Sequence, residues 1–498
     1  MSRPPKAIII GAGIAGIAAA IRLRMQGMQV VVYEKNNFPG GKLNGFNSDG
    51  FQFDAGPSLF TKPELVEELF LLAGEPVSAY FSYEKLPVSC TYFYEKGPIV
   101  KAYADQQLFA KELAEKLGEK EENLKNYLKK SRVVYERIGT VFLNFSLHKI
   151  STFFKANIGS ALKAFRWSHL FKTMHQLNRA SFSNPLTVQL FDRYATYNGS
   201  NPYQAPGMLS LIPHIEHNEG AYYPQGGMIS ITNALYQLSL KKGVLFEFEA
   251  PVERIIQTEG CINGVVVKGT NIPADIVVSN MDVYFTYNQL LQDNRKAKKL
   301  LKQERSSSAL IFYWGMKTEF PELGLHNIFF SKNYEAEFEH IFRLKKITDD
   351  PTIYINITCK CEPGVQAPRG KENWFVMVNV PANDGQDWHA YREKYRKSIL
   401  SKLAEILQKD IASLIETEQV LDPVLIEAGT ASFMGAIYGT SANSKTAAFV
   451  RHPNFSKKIK GLYFVGGTVH PGGGIPLCLQ SAKIMSELVL ADVKKMHA

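Results

Sequence analysis

The amino-acid sequence predicts an α/β fold, and three apolar runs that end in glycine or an acid carry that prediction. The run 7–10 leads directly into the turn 11–16, whose residues are Gly-Ala-Gly-Ile-Ala-Gly. A second apolar run, 30–33, is followed by Glu34, which lies 18 residues beyond the turn. Near the other end of the chain, the run 461–465 also leads into glycines. Apolar strands that alternate with helical segments are typical of a parallel sheet covered by helices.

The first of these units has the residue order of a dinucleotide-binding βαβ segment. Gly11 permits a tight bend, Gly13 lets the backbone approach a pyrophosphate, and Gly16 allows the helix to pack on the strand. The first turn of that helix offers free N–H groups to phosphate. Glu34 is placed to accept the ribose hydroxyls. An ordinary glycine-rich turn does not need the second strand and its terminal acid, so the sequence predicts a bound dinucleotide.

Further glycine-rich motifs predict that the cofactor is extended. The segments 40–42 (Gly-Gly-Lys) and 54–58 (Asp-Ala-Gly-Pro-Ser) follow the first unit. The late strand continues through Gly467 and Thr468 to the segment 470–476, His-Pro-Gly-Gly-Gly-Ile-Pro. A simple nicotinamide enzyme needs only the first motif. A cofactor that is held by both ends of a long chain must span the distance between them.

Together with the segment 223–227 (Tyr-Pro-Gln-Gly-Gly), these motifs resemble the FAD-dependent amine-oxidase superfamily, specifically its carotenoid-desaturase branch of the bacterial phytoene-desaturase type. The resemblance implies a Rossmann-like FAD-binding domain of the amine-oxidase/glutathione-reductase type, an interleaved substrate-binding domain and a helical membrane-associating region. It also implies FAD as the cofactor and a carotenoid as the substrate. Within this branch, the segments 40–43 (Gly-Gly-Lys-Leu) and 54–58 resemble the hydroxycarotenoid 3,4-desaturases more than the phytoene enzymes, which are expected to carry Arg in place of Lys42.

The motifs and the resemblance together give a set of candidate FAD contacts. Glu34 is expected at the adenosine ribose, the turn 11–16 at the pyrophosphate, and Gly467, Thr468 and Ile475 at the ribityl or flavin end. The full set is Gly11, Gly13, Ile14, Ala15, Gly16, Glu34, Lys35, Gly41, Lys42, Gly56, Pro57, Ser58, Val252, Asn280, Gly467, Thr468, Gly474, Ile475 and Pro476.

The sequence names no catalytic residue and no metal ligand. His470 lies in the late glycine loop, where a packing or hydrogen-bonding role is expected. His214, Glu216 and His217 cluster without a metal-binding spacing. Hydride removal beside a double bond leaves a charge that spreads along a polyene, so positional control in an apolar tunnel is expected rather than acid–base machinery. That tunnel is expected under the loop 472–476 and beside the segment 222–224.

Several reactions and functions share these motifs and stay open. The best expectation is 3,4-desaturation of a 1-hydroxycarotenoid; the alternatives in the branch are phytoene or diapophytoene desaturation, isomerisation and terminal methyl oxidation. A non-catalytic escort protein of the same fold need not keep the pyrophosphate turn, whereas this chain has it intact. An amine oxidase would be favoured by a flavin-linking cysteine on the late loop, where this chain has 472–474 (Gly-Gly-Gly) and, beyond them, Cys478.

Charge and cysteine patterns limit the remaining choices. The net charge is +10, and the window 137–191 contains seven Lys or Arg residues among many aromatics but no Asp or Glu. Such a window favours attachment to an anionic membrane surface; a solvated helical face is the main alternative, and nucleic-acid binding is not expected. No run reaches the length of a membrane span, and the five cysteines show neither disulfide nor zinc spacing. A cytoplasmic, peripherally membrane-associated protein is therefore expected, with its oligomeric state undetermined.

The order of the motifs predicts domains that are interleaved in sequence. FAD-binding parts are expected at 1–85, 220–285 and 425–498, and substrate-binding parts at 86–219 and 286–424. Cys359 and Cys361 follow the strand-like run 352–358 and are expected on one face of a sheet.

Overall fold

The computed structural model describes residues 3–146, 148–149, 171–444 and 451–496, and two large sheets organise them. The first, the parallel sheet, has five parallel strands. Their spatial order is Leu462–Phe464, Ile276–Ser279, Lys6–Ile10, Gln29–Tyr33 and Leu245–Glu247.

Both faces of the parallel sheet are covered, which explains its continuous apolar strands. Ala7 and Ile9 pack in a core with the helices Ile14–Met25 and Ile475–Met496. Ile8 and Ile10 point to the opposite face, as alternation along a strand requires. The predicted βαβ unit is therefore present, with the turn 11–16 at the carboxyl end of its first strand.

The second sheet, the mixed sheet, has seven strands, which are antiparallel to their neighbours except for one parallel pair. In spatial order they are Ile415–Leu421, Ser308–Met316, Glu372–Val380, Ile353–Asn356, His326–Phe329, Val88–Phe93 and Ile99–Tyr103. Trp314 and Trp374 face each other across its two long strands and are fully buried. The parallel sheet takes its strands from 1–85, 220–285 and 425–498, and the mixed sheet takes its strands from 86–219 and 286–424.

Smaller sheets and helices complete the fold. The remaining strands are Gly45–Ser48 with Phe51–Asp54, Tyr83–Lys85 with Tyr222–Pro224, and the three-stranded sheet Val252–Thr258, Cys261–Val267 and Thr270–Pro273. The α-helices of the described residues are Ile14–Met25, Glu64–Ala73, Gln106–Leu117, Glu121–Val134, Thr140–Asn144, Met174–Arg179, Pro185–Asp192, Ile212–His214, Ile229–Lys241, Val283–Phe285, Asn294–Leu301, Tyr334–Glu339, Trp388–Leu407, Ile411–Leu414, Pro423–Thr430 and Ile475–Met496. The predicted α/β fold class is confirmed.

The prediction for the cysteine pair is wrong. The strand Ile353–Asn356 ends before the cysteines, and Cys359 lies in a short 3-10 helix, Thr358–Lys360. The Asn373 side chain, from the adjacent long strand, accepts a hydrogen bond from Cys359 N–H and donates one to Thr358 Oγ1. These side-chain bonds replace the strand ladder, so the alternating pattern of a strand no longer applies.

Part of the basic window lies beyond what the structure describes. Residues 147 and 150–170, including Lys163 and Arg166, are outside the described residues, so the membrane-associating region stays a prediction. Within the described parts of the chain, none of the helices combines the length and the apolar character that crossing a bilayer requires.

Candidate functional site

The turn 11–16 has the geometry that the glycine spacing predicts. Gly11 has a φ of +96°, a conformation that L side chains rarely adopt. A Cβ added to Gly16 would lie 2.1 Å from the carbonyl oxygen of Gly11, so the helix can approach the strand this closely only with glycine there. Gly13 is different, because its extended backbone (φ −68°, ψ 168°) suits any residue. An added Cβ at Gly13 would come closest to the flexible Asn280 amide, at 2.9 Å.

Glu34 is fixed against this turn by two backbone hydrogen bonds. Its Oε2 accepts the N–H of Ala12 at 2.7 Å, and its Oε1 accepts the N–H of Asn36 at 2.9 Å. The side chain is buried, so these bonds set its position at the end of the strand Gln29–Tyr33. Each carboxylate oxygen keeps a second lone pair. The group can therefore still accept a pair of ribose hydroxyls.

The helix Ile14–Met25 presents its N-terminus to the same place. Gly13, its N-cap, supplies no side-chain hydrogen bond, so the first-turn N–H groups have no side-chain acceptor at this cap. Such an end stabilises a phosphate anion through N–H donors and the helix dipole. The glycine turn, the fixed carboxylate and the uncapped helix fit the adenosine diphosphate part of FAD.

A cavity of about 920 Å³ connects this turn with the other motifs. All candidate FAD contacts except Gly16 line its wall. Gly56 brings two of the motifs together, because an added Cβ there would lie 1.9 Å from the carbonyl oxygen of Lys42. The half-buried Lys42 donates from Nζ to the carbonyl of Ile437 at 3.0 Å, and desolvation of the amine lowers the pKa of Lys42. The structure thus joins segments that are more than 400 residues apart in sequence, from the turn 11–16 to the loop 472–476.

Arg451 is a wall residue that the sequence analysis missed. Its guanidinium donates to the carbonyls of Tyr438, Gly467 and Thr440 and to the side chain of Asn198, at 2.8–3.0 Å. It is 3% exposed, and burial lowers its pKa to about 10. Arg451 thereby holds the late glycine loop against the rest of the cavity. A lone arginine outside any motif gives no sequence signal for this role.

Beyond the motifs the cavity continues as an apolar space between the mixed sheet and the helical part of the chain. Strands of the mixed sheet contribute one side, and the segment 208–215 contributes the other. The apolar wall residues of these two sides are Ala309, Ile311, Ile328, Phe375, Met377, Met208, Leu209, Leu211, Ile212 and Ile215. An elongated hydrophobic molecule would find contact along this stretch.

One part of this apolar space carries a group of polar side chains, called the polar patch below. It consists of Ser58, Arg193, Tyr197, Glu216, His326 and Tyr354, all of which line the cavity. Arg193 donates to the hydroxyl of Tyr197 at 3.1 Å, and its Nη2 lies 3.8 Å from Glu216 Oε1. Glu216 accepts the hydroxyl of Tyr197 at 2.5 Å. The nearby cation lowers the pKa of Glu216 against the opposing effect of burial, so the pair stays ionised.

The structure does not bring every residue that the sequence suggested to the cavity. The strand Tyr222–Pro224 is not part of the described cavity wall; it pairs with Tyr83–Lys85, and the Tyr223 hydroxyl donates to Glu362 at 2.6 Å. The apolar part of the cavity therefore does not run beside that strand, and this part of the predicted tunnel position is wrong. His470 is fully buried, with Nε2 2.9 Å from the carbonyl oxygen of Phe145. Among the described residues, no group of three His, Cys, Asp or Glu side chains is arranged to hold a metal ion.

Comparison with known proteins agrees with this geometry. A family described as flavin containing amine oxidoreductase matches residues 14–490. The chain is 51% identical to a 1-hydroxycarotenoid 3,4-desaturase from Flavobacterium sp. (strain P99-3), over 97% of this chain and 99% of that relative. It is 33% identical to a 4,4'-diapolycopene oxygenase from Methylomonas sp, over 98% of this chain and 99% of that protein.

A solved structure supports the architecture alone. The fold is similar to that of an oxidoreductase from Methanosarcina mazei, with a TM-score of 0.63 and 16% identity, over 98% of this chain and all of the other.

Proposed function

The chain belongs to the family of flavin containing amine oxidoreductases, and from its similarity to relatives named for carotenoid substrates we propose that it introduces a C=C bond into a carotenoid. Membership confirms the predicted oxidoreductase class and FAD as the cofactor. For the bond we propose the 3,4 position of a 1-hydroxycarotenoid. The full-length relative with 51% identity has that activity in its name, whereas the oxygenase relative reaches 33%.

The observation that carries the proposal is the continuous cavity. It begins at the dinucleotide turn and continues into the apolar space between the mixed sheet and the segment 208–215. A cavity for a small polar amine would not need an apolar stretch of this extent. A long polyene would fill it with its chain parallel to the wall.

We propose that FAD is held by the candidate FAD contacts that the sequence motifs predict. The turn 11–16 and Glu34 bind the pyrophosphate and the ribose, and the segments 54–58 and 472–476 enclose the flavin end. When bound, FAD would supply a two-electron oxidation by accepting a hydride, and the neighbouring carbon would release a proton to solvent to complete the C=C bond. The apolar wall residues hold the polyene at the correct position and exclude water, which gives catalysis by orientation rather than by an acid–base pair.

We also propose that the parallel sheet belongs to an FAD-binding domain and the mixed sheet to a substrate-binding domain. The segments 1–85, 220–285 and 425–498 form the FAD-binding domain, and 86–219 and 286–424 form the substrate-binding domain. The basic window 137–191 attaches this cytoplasmic protein to the anionic membrane surface from which a lipid-soluble substrate enters. Its seven Lys or Arg residues without any acid support that attachment.

Anaerobic mixing of the FAD-bound protein with candidate substrates in detergent tests the reaction. A 1-hydroxycarotenoid should remove the oxidised-flavin absorbance and yield a polyene spectrum shifted to the red. Bleaching by phytoene alone would transfer the assignment to phytoene desaturation. Bleaching by simple amines alone would refute the carotenoid assignment.

A further inference from the structure

A buried histidine in the polar patch has one ring nitrogen without a hydrogen-bond partner. His326 begins the strand His326–Phe329, lines the cavity and is 4% exposed. Its Nδ1 lies 2.7 Å from the Tyr354 hydroxyl and 3.1 Å from Asn356 Nδ2. Its Nε2 has no hydrogen-bond partner among the described residues. Most buried polar atoms in folded proteins have a hydrogen-bond partner, so this unpaired ring nitrogen requires an explanation.

The neighbouring hydrogen bonds fix which nitrogen of His326 carries the proton. Asn356 Nδ2 also donates to the carbonyl of Leu325 at 3.2 Å, which sets the orientation of the amide. An amide nitrogen can only donate, so His326 Nδ1 must be the acceptor and Nε2 must carry the hydrogen. Burial lowers the pKa of His326 to about 4, so the ring is neutral at physiological pH. The group without a partner is therefore a neutral N–H donor.

Apolar wall residues lie next to the polar patch, since Ile328 and Met377 are opposite Tyr354 on its two neighbouring strands. The charges of Glu216 and Arg193 act on His326, which places the three side chains in one electrostatic environment. The apolar residues Ile328 and Met377 line the same cavity. A hydrocarbon chain could contact the apolar wall, but only a ligand with a polar end would satisfy the histidine.

The patch also lies close to the candidate flavin site. The Tyr354 hydroxyl is 2.7 Å from Ser58 Oγ and 2.7 Å from His326 Nδ1, so two hydrogen bonds connect His326 with the segment 54–58. In a 1-hydroxycarotenoid, a single carbon separates the hydroxyl-bearing C1 from C3 of the reacting bond. A hydroxyl binding site must therefore lie near the flavin, as His326 does.

We propose that His326 determines substrate specificity by donating its Nε2–H to the oxygen of the C1 hydroxyl group. The inference rests on the proposed 3,4-desaturation and adds the residue that selects the hydroxylated end. Ser58 and Tyr354 act as positioning residues, because the chain of hydrogen bonds from Ser58 through Tyr354 to His326 keeps the Nδ1 side of the ring engaged.

Two amide variants of His326 form a matched pair for the test. His326→Asn places an amide where Nδ1 stands, and it preserves the inner contacts while removing the outer donor. His326→Gln places the same amide one carbon farther out, near the position of Nε2. Flavin reduction is followed in single turnovers with a 1-hydroxycarotenoid and with the matching carotenoid that lacks the C1 hydroxyl. FAD content and the thermal midpoint of each variant report whether it folds.

The wild-type protein should react with the hydroxylated substrate about tenfold faster or more, measured as the second-order rate constant of flavin reduction. His326→Asn should bring this ratio close to one, and His326→Gln should retain part of it. A wild-type ratio of one, or an undiminished ratio in FAD-loaded His326→Asn, overturns the inference and leaves the desaturase assignment intact. If the wild-type protein reacts with neither carotenoid, the proposed function itself is refuted. If His326→Asn does not fold, the inference is still tested by the ratio of the two substrate rates in the wild-type protein and in His326→Gln.

Discussion

Gly16→Ala should destabilise the fold itself, whereas Gly13→Ala should mainly prevent FAD binding, although the two positions lie in one turn. At Gly16 the new Cβ would lie 2.1 Å from a backbone oxygen, so strand and helix must separate by about 1 Å or more to reach ordinary contact. Overpacking of this kind costs about 1–3 kcal/mol, and here the obstacle is backbone that cannot rotate away. Gly16→Ala should therefore destabilise the protein even without FAD.

At Gly13 the cost to the protein alone is small. The nearest atom is Asn280 Nδ2, which belongs to a rotatable side chain and makes one weak hydrogen bond, 3.3 Å to the carbonyl of Gly11. Loss of this hydrogen bond costs about 1 kcal/mol. The methyl group nevertheless enters the cavity where the pyrophosphate is expected. At a hundredfold excess of FAD over its Kd, lost binding removes about 2.7 kcal/mol of stabilisation.

The assay is thermal unfolding of each variant with and without added FAD, together with the visible spectrum. Gly16→Ala should have a lowered midpoint in both conditions. Gly13→Ala should lie within about 1 kcal/mol of the wild type without FAD and show no shift when FAD is added. Gly324→Ala is the control, since its nearest atom would be 3.6 Å away and it lies outside the described cavity wall. Stoichiometric FAD in Gly13→Ala, or an unchanged midpoint in Gly16→Ala, would refute this reasoning.

Three further changes test other parts of the structure. Glu34→Gln should weaken FAD binding about tenfold, because an amide NH₂ then faces the N–H of Ala12 or Asn36; an unchanged Kd in a fluorescence titration contradicts this. Burial raises the pKa of Asp54 to about 6, above its unfolded value, so the buried charge opposes folding at pH 7. This destabilisation disappears as the pH falls through 6 towards 4, because the carboxyl group then becomes protonated in the folded protein. As the pH is lowered from 7 to 5, the thermal midpoint of the wild type should therefore rise relative to that of Asp54→Asn. A difference between the two midpoints that does not change with pH would contradict this prediction. Changing Lys163, Arg166 and Lys172 together to Glu should weaken binding to anionic vesicles by about 1 kcal/mol per residue; equal co-sedimentation with the wild type would remove the membrane proposal.

Elements defined by local pattern could be predicted from the sequence. The sequence predicts a helix at 389–408, and the structure has it at Trp388–Leu407, where the Asp387 side chain caps the N–H of Ala390. The strand-like segment 92–103, interrupted by 96–98 (Lys-Gly-Pro), predicts a hairpin, and the structure has it as Val88–Phe93 paired with Ile99–Tyr103. In both cases the residues that decide the structure lie within a few positions of one another.

Features that depend on distant contacts could not be predicted. The strand before Cys359 ends early because the Asn373 side chain, 14 residues away, takes the hydrogen bonds. The polar patch comes from five separate parts of the chain, and no spacing between Ser58, Arg193 and His326 marks them as neighbours. The free donor of His326 is visible only when all its possible partners have been placed.

The polar patch also addresses a problem that an apolar cavity alone leaves unsolved. Apolar burial gives affinity in proportion to area but has no direction. A polyene repeats the same unit along its length, so it could slide in the cavity and present one double bond after another to the flavin. A single donor at a fixed distance from the cofactor opposes sliding, since only one register of a hydroxylated chain satisfies it. Rejection of a chain without the hydroxyl follows from the same contact, because that chain leaves His326 unpaired. The register of the substrate, and hence the bond that is oxidised, would then depend on His326 rather than on the much larger apolar surface.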